Sequence, residues 1–168
     1  TPPHAPPQPA SRPTSPTPPT PHSTSASPLP ELPPIKALIV EDEFVSRYLI
    51  QEFLHPLGTC HIAVNGFEAV LAFKTAQVEK QPYDLVCLDI MMPGMDGQAV
   101  ATEMRRLEEE LNPSKRCVII MTTAVSDPGI IASLLDQHKC NAYLVKPIIR
   151  EKLYKTICDC FVAGKTGE

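Results

Sequence analysis

The chain shows no basic cluster, no membrane-length apolar run, no stretch patterned like a secretory signal and no CxxC pair, and each absence argues against a class of function. Lysine and arginine total 15 against 19 acidic residues, for a net charge of −4, and the basic residues are scattered. A nucleic-acid surface needs the opposite, a clustered positive patch facing phosphates. No apolar stretch approaches the ~20 residues that cross a bilayer as a helix. The N-terminus lacks the basic and apolar regions of a secretory signal. It starts at Thr1 rather than at a methionine, so the chain is expected to be a processed or excised piece of something longer. Six cysteines are present, at 60, 87, 117, 140, 158 and 160. Cys87 and Cys117 fall inside apolar runs, where a thiol serves as a small core residue. Cys158-Asp159-Cys160 is a CxC rather than a CxxC, and no histidine is spaced to complete a metal site with it. Reduced thiols in the cytoplasm are the expectation.

Apolar residues are also nearly missing from the first 34 positions, which hold 14 of the 20 prolines. Such a stretch cannot build a core, and it reads as a disordered or polyproline-II tether over residues 1–34. A docking segment for a proline-binding module is the other use of that composition. About 130 residues remain, enough for one domain, expected over residues 35–163 with a polar tail at 164–168.

That remainder alternates two periodicities. Lys36 to Val40, Thr59 to Val64, Tyr83 to Leu88, Cys117 to Met121 and Ala142 to Val145 are short apolar runs that predict strands. Between them lie helical spacings. Apolar residues recur from Phe44 to Leu54, and His55-Pro56-Leu57-Gly58 breaks that pattern. Asn65-Gly66 opens a second helix that reaches about Val78. Val100, Met104, Leu107 and Leu111 mark an amphipathic third, ended by Asn112-Pro113. Ser126-Asp127-Pro128 is a cap followed by proline and predicts a fourth. Leu153, Ile157 and Phe161 mark the last. Five strand–helix repeats with nearly all-apolar strands imply an α/β fold with a parallel sheet covered on both faces. Right-handed crossovers point to a doubly wound, flavodoxin-like sheet of five strands in the order 2-1-3-4-5 with five helices.

In such a sheet, ligands gather at the carboxyl ends of the strands. Strand one ends in Glu41-Asp42, strand three in Asp89, strand four in Thr122-Thr123 and strand five in Lys146. Taken singly, each residue is more often a solvated turn, a cap or a surface charge than a ligand. Together they bring three carboxylates, a hydroxyl and an ammonium to one edge. Carboxylates so placed repel unless a cation joins them. Oxygen donors without cysteine or histidine suit a hard ion, Mg2+ or Mn2+.

These residues resemble the receiver domain of two-component response regulators. The matching pieces are Leu38-Ile39-Val40-Glu41-Asp42-Glu43, Asn65-Gly66-Phe67-Glu68-Ala69, Asp89-Ile90-Met91-Met92-Pro93-Gly94-Met95-Asp96-Gly97, Met121-Thr122-Thr123-Ala124 and Tyr143-Leu144-Val145-Lys146-Pro147. The resemblance implies that Asp89 accepts a phosphoryl group from a sensor histidine kinase or a histidine phosphotransfer protein. It implies that Asp42, Asp89 and the main-chain carbonyl of Met91 ligate Mg2+, with Glu41 acting through water. Lys146, on a cis bond to Pro147, would pair with one phosphoryl oxygen, and Thr123 would donate to another. Ala124 after Thr123 leaves room for the group. Tyr143 looks like the aromatic partner that turns inward when Thr123 moves, reshaping the face of the fourth helix, fifth strand and last helix. That face would then bind a downstream protein or a second copy of the chain.

In the family, two positions modulate phosphate loss, here Met91 and Val125, and neither can orient a water well. A long-lived phosphate is expected. The whole would be a signalling domain rather than an enzyme, either stand-alone or the C-terminal receiver of a larger chain such as a hybrid kinase. Two other readings stay open: a receiver-like interaction module that takes no phosphate, and a haloacid-dehalogenase-like phosphatase. The second wants its nucleophile on strand one with an acid two residues on, where this chain has Met91.

Overall fold

A computed structural model of the chain describes residues 31–127, 129, 131, 132 and 140–163. The expected tether before Glu31, most of the expected fourth helix and the polar tail at 164–168 lie outside the described residues. The elements with defined bounds are β1 (Ile35–Val40), α1 (Phe44–Leu54), β2 (Gly58–Ala63), α2 (Gly66–Val78), β3 (Leu85–Asp89), α3 (Gly97–Leu111), β4 (Val118–Thr123), β5 (Ala142–Val145) and α4 (Arg150–Ala163). The five strands form one parallel sheet in the order β2-β1-β3-β4-β5. Four helices have defined bounds where five were expected. The expected fourth helix shows its start at the cap: Asp127 Oδ1 accepts from Gly129 N at 2.8 Å, and the Asp127 carbonyl accepts from Ile131 N at 3.1 Å.

The expected boundaries shift for identifiable reasons. The break at His55–Leu57 is itself a single 3-10 turn with Pro56 in its first positions. β2 starts and ends one residue earlier than expected, at Gly58 and Ala63. β3 starts at Leu85 rather than Tyr83. Asp84 intervenes, its carboxylate accepting from Lys36 N and its own N–H donating to Lys36 O, both at 2.8 Å. β4 starts one residue later, at Val118, and runs on past Met121 through both threonines. Thr122 pairs with Asp89, and Thr123 with Val145.

β1, β3 and β4 are interior strands, and the period-2 alternation of a strand divides their side chains between two cores. Leu38, Val40, Val86, Leu88, Ile119 and Met121 face α2 and α3, where Phe73, Val100 and Met104 are fully buried. Ala37, Ile39, Leu85, Cys87 and Ile120 face the opposite side, where Ile50, Leu54, Leu153 and Ile157 from α1 and α4 close over them. Continuous apolar strands are the sequence mark of this two-sided burial.

A charged cluster is buried at the end of the sheet where β4 and β5 start. Arg105 of α3 sends Nη1 to Glu108 Oε2 at 2.7 Å and to the Cys117 carbonyl at 3.0 Å, and Nη2 to Asn141 Oδ1 at 3.0 Å. Glu108 Oε1 accepts from Cys117 N at 2.7 Å, and Asn141 Oδ1 accepts from Ile119 N at 2.8 Å. The cluster therefore ties α3 to the starts of both β4 and β5. Removing the guanidinium leaves the Glu108 carboxylate buried without its partner, the costly case for an ion pair. Arg105→Ala should lower unfolding free energy by about 3 kcal/mol or more, read as a lower urea midpoint at unchanged slope. A loss under ~1 kcal/mol would show that Glu108 finds solvent or another donor.

Candidate functional site

The site lies where β1, β3, β4 and β5 end. Parallel register puts these four ends side by side, so residues far apart in sequence meet without any long excursion of chain. Glu41 prolongs β1 by one ladder bond, its N–H donating to the Ala63 carbonyl at 3.1 Å. This direction drives the Glu41 side chain into the sheet edge, where it is buried. Asp42 follows on the turn and is exposed. Glu43 then caps α1, its carboxylate accepting from Val45 N at 2.9 Å and Ser46 N at 2.7 Å. Those two bonds hold its pKa below the usual glutamate value.

Asp89 closes β3 and is 3 % exposed. Its Oδ1 accepts from Met91 N at 3.1 Å, and its Oδ2 accepts from Lys146 Nζ at 2.9 Å. The backbone around it is tightly packed. Gly97 begins α3 against the Asp89 carbonyl, and a Cβ there would stand 2.8 Å from Ile90 Cα. Only glycine permits that approach. The Gly97 N–H donates to the Ile90 carbonyl at 3.0 Å, and Ile90 N donates to the Thr122 carbonyl at 3.0 Å. Gly94, at φ 83°, turns the loop between them. The rigid stretch after Asp89 thus fastens the carboxylate's own backbone to α3 and β4.

Lys146 follows β5 and is joined to Pro147 by a cis peptide bond. Its N–H donates to the Thr123 carbonyl at 2.7 Å. Its Nζ lies between two carboxylates, 2.9 Å from Asp89 Oδ2 and 2.8 Å from Glu41 Oε2. Burial disfavours the ammonium, but hydrogen bonds and charge from Glu41 and Asp89 outweigh it and raise its pKa. Burial raises the pKa of Glu41 more than Lys146 lowers it, and the Asp89 charge adds to the rise. The contact to Glu41 Oε2 is an ion pair off the axis of a good hydrogen bond, so that buried oxygen has no aligned donor.

Carboxylate oxygens of Glu41, Asp42 and Asp89 all lie within 4.8 Å of one another. With every group ionised, three carboxylates and one ammonium sum to −2. A divalent cation would cancel that charge. Its fit rests on the donor set, oxygen alone, and on the buried Glu41 oxygen without an aligned donor.

The two threonines are both buried. Thr123 Oγ1 accepts from Val125 N at 3.0 Å and keeps an O–H able to donate. Thr122 Oγ1 has no partner among the described residues. Tyr143 is half-buried and packs against the core on the α2–α3 side, beside Met121 in the ladder. Met91 is 66 % exposed, and Val125 is half-buried. All the residues singled out in the sequence therefore lie on this end of the sheet or on the strand that leads to it. One residue escaped the sequence reading. Arg47 of α1 reaches back so that Nη1 donates to the carbonyls of Glu41 at 3.0 Å and Asp42 at 3.1 Å. Both acceptors are backbone atoms, so no side-chain pattern advertises the contact.

Comparison with known proteins gives the family and the fold. The chain is 36% identical over 121 residues to the transcription factor SKN7 of Saccharomyces cerevisiae, covering 71% of this chain and 18% of that protein. It is 31% identical over 126 residues to the sensor histidine kinase GacS of Pseudomonas protegens, covering 73% of this chain and 13% of the kinase. The chain thus spans under a fifth of the length of either relative. Among solved structures, it superposes on the receiver domain of the histidine kinase CKI1 from Arabidopsis thaliana, complexed with Mg2+ and BeF3-, with a TM-score of 0.69. That match covers 78% of this chain and 92% of the other at 23% identity, a likeness of fold. Residues 37–158 match the response regulator receiver domain family, and the chain belongs to that family.

Proposed function

We propose that this domain takes a phosphoryl group onto Asp89 from a phosphohistidine of a sensor kinase or phosphotransfer protein. The observation that carries the proposal is the meeting of Glu41, Asp42, Asp89 and Lys146 at one sheet edge. The Asp89 oxygen attacks phosphorus, the P–N bond breaks as the P–O bond forms, and the donor imidazole takes a proton. Asp42, Asp89 and the Met91 carbonyl would hold Mg2+, or Mn2+, with Glu41 placed to act through water. Bound there, the ion would supply charge neutralisation at phosphoryl oxygens. Lys146 would leave Glu41 and follow one phosphoryl oxygen, and the Thr123 hydroxyl would donate to another. Exposed Phe44, Val45, Phe67 and Met91 stand on the loops and helix starts around the pocket. They offer a donor protein apolar contact beside the acidic centre.

The response follows from the same bonds. Once Thr123 turns toward the phosphoryl group, Tyr143 can move into the space behind it, a shift between two packings of one fold. β5, α4 and the segment after Asp127 would carry that change to a downstream protein or a second copy. The domain's relatives include a sensor histidine kinase. The role is signalling rather than turnover of a substrate. Six free cysteines suit a reducing compartment such as the cytoplasm.

Intact mass after incubation with a small-molecule phosphodonor tests the proposal. Wild type with Mg2+ should gain one phosphoryl group, chelator should suppress the gain, and Asp89→Asn should abolish it. A folded wild type that gains nothing would instead favour an interaction module that takes no phosphate.

The lifetime of that adduct is a separate expectation. Hydrolysis needs an attacking water held in line, and Met91 and Val125 present no polar side-chain group to hold it. Met91 is exposed, so a polar replacement leaves the core intact. Met91→Asn should shorten the half-life roughly tenfold, ~1.4 kcal/mol of barrier, followed by mass over time after donor removal. Equal half-lives would remove these positions from the account.

A further inference from the structure

We propose that Arg47 is a positioning residue for divalent-cation binding, acting through the backbone of the acidic turn. The inference rests on the reading that Glu41, Asp42 and Asp89 receive the ion. The turn between β1 and α1 is Glu41-Asp42-Glu43, three consecutive acids that repel one another. Its inner anchors are clear: the Glu41 N–H is bonded to Ala63, and Glu43 caps the helix. The peptide carbonyls of Glu41 and Asp42 take no backbone N–H among the described residues outside the regular ladders. Arg47 supplies the partner for both from one nitrogen, at 3.0 and 3.1 Å.

The side chain is itself held for this task. The Arg47 N–H donates to the Glu43 carbonyl at 3.0 Å, so helix α1 fixes its root. Its guanidinium lies 5.5 Å from the centre of the Phe44 ring, which shields one face from water. Phe44 is otherwise 67 % exposed, and its ring stacks against Tyr48 at 6.3 Å. Both bonds leave from Nη1, and the planar guanidinium is held there by lying on the Phe44 ring, a stacked placement that a flexible, strongly hydrated ammonium does not reproduce. The consequence falls on Asp42. Its side chain is exposed and takes none of the hydrogen bonds assigned among the described residues, so only its backbone sets where its carboxylate starts.

Charge and position predict opposite results, which makes the proposal decidable. A guanidinium beside the turn repels an incoming cation, so if charge were its whole effect, removing it would tighten Mg2+ binding. If it sets the geometry of Asp42, removing it weakens binding. Outer contacts that orient metal ligands are worth roughly 10- to 100-fold in affinity.

Mg2+ would be titrated into wild type, Arg47→Ala, Arg47→Lys and Asp89→Asn, with binding followed by amide chemical shifts of residues 41–43 and 89–91. Urea unfolding of each variant would be run beside it. Arg47→Ala and Arg47→Lys should both bind Mg2+ roughly tenfold more weakly while remaining folded, the lysine failing because it keeps charge but is not held over the two carbonyls by stacking on Phe44. Unchanged affinity in Arg47→Ala, or tighter binding, overturns the proposal, as does full rescue by lysine. If wild type itself binds no Mg2+ at the acidic turn, or Asp89→Asn binds as well as wild type, the metal reading fails first.

Discussion

Three carboxylates within 4.8 Å of one another work against the fold that holds them. At that separation each ionised pair repels by about 3 kcal/mol at an effective dielectric of ~20, less where Asp42 faces water. The rest of this end of the molecule can be understood as the means of sustaining that repulsion. Lys146 offsets part of it, lying against Glu41 and Asp89 at once. Burial offsets part by raising the pKa of Glu41, so that its proton is not fully given up as easily as in water. A residual negative charge remains, and a divalent cation is what such a residue of charge selects.

Holding Asp89 still is the complementary requirement. In the proposed role, the Asp89 carboxylate must present one oxygen and keep its backbone from yielding when charge develops. The chain does this with main-chain bonds rather than side chains. Ile90 bonds β4, Gly97 bonds Ile90, and Met91 N–H bonds the carboxylate itself. The close approach at Gly97 brings the first turn of α3 against the Asp89 carbonyl. α3 is in turn anchored at its far end by Arg105 and Glu108 to the starts of β4 and β5. The buried cluster at one end of the sheet and the acidic centre at the other are thus connected through one helix.

Much of this was legible because the sheet does the arranging. Once five apolar runs are read as parallel strands, the residue after each run must fall at the same edge, and Glu41, Asp42, Asp89, Thr123 and Lys146 follow without further information. Strand ends were less legible. Thr122 and Thr123 look polar, yet both are buried in β4 because neighbouring strands pair with them. Tyr83 looks like a strand residue, yet it sits before one, because the Asp84 carboxylate bonds the Lys36 N–H at the start of the ladder. Contacts from side chain to backbone, the helix cap at Asp127 apart, were not legible. Arg47 to the carbonyls of Glu41 and Asp42 depends on where a turn points its oxygens, and Arg105 to the Cys117 carbonyl depends on two elements meeting. Residue type and spacing carry no trace of either.

β5 is where the two halves of the proposed function join. It is the least buried of the strands on this side of the sheet, half-exposed along its length. It is paired on one side only, to β4. An edge strand with few buried contacts can shift at lower cost than an interior one. On that one strand and the residue after it, Tyr143 faces the α2–α3 core and Lys146 faces the acidic centre, three positions apart. The Lys146 N–H is bonded to Thr123, the same residue whose hydroxyl would donate to a phosphoryl group. Any movement of Thr123 is therefore felt by β5 directly, through a backbone bond and not through a chain of intermediaries. Chemistry at Asp89 and reshaping of the outer face can be coupled here because both act on one short, lightly held strand.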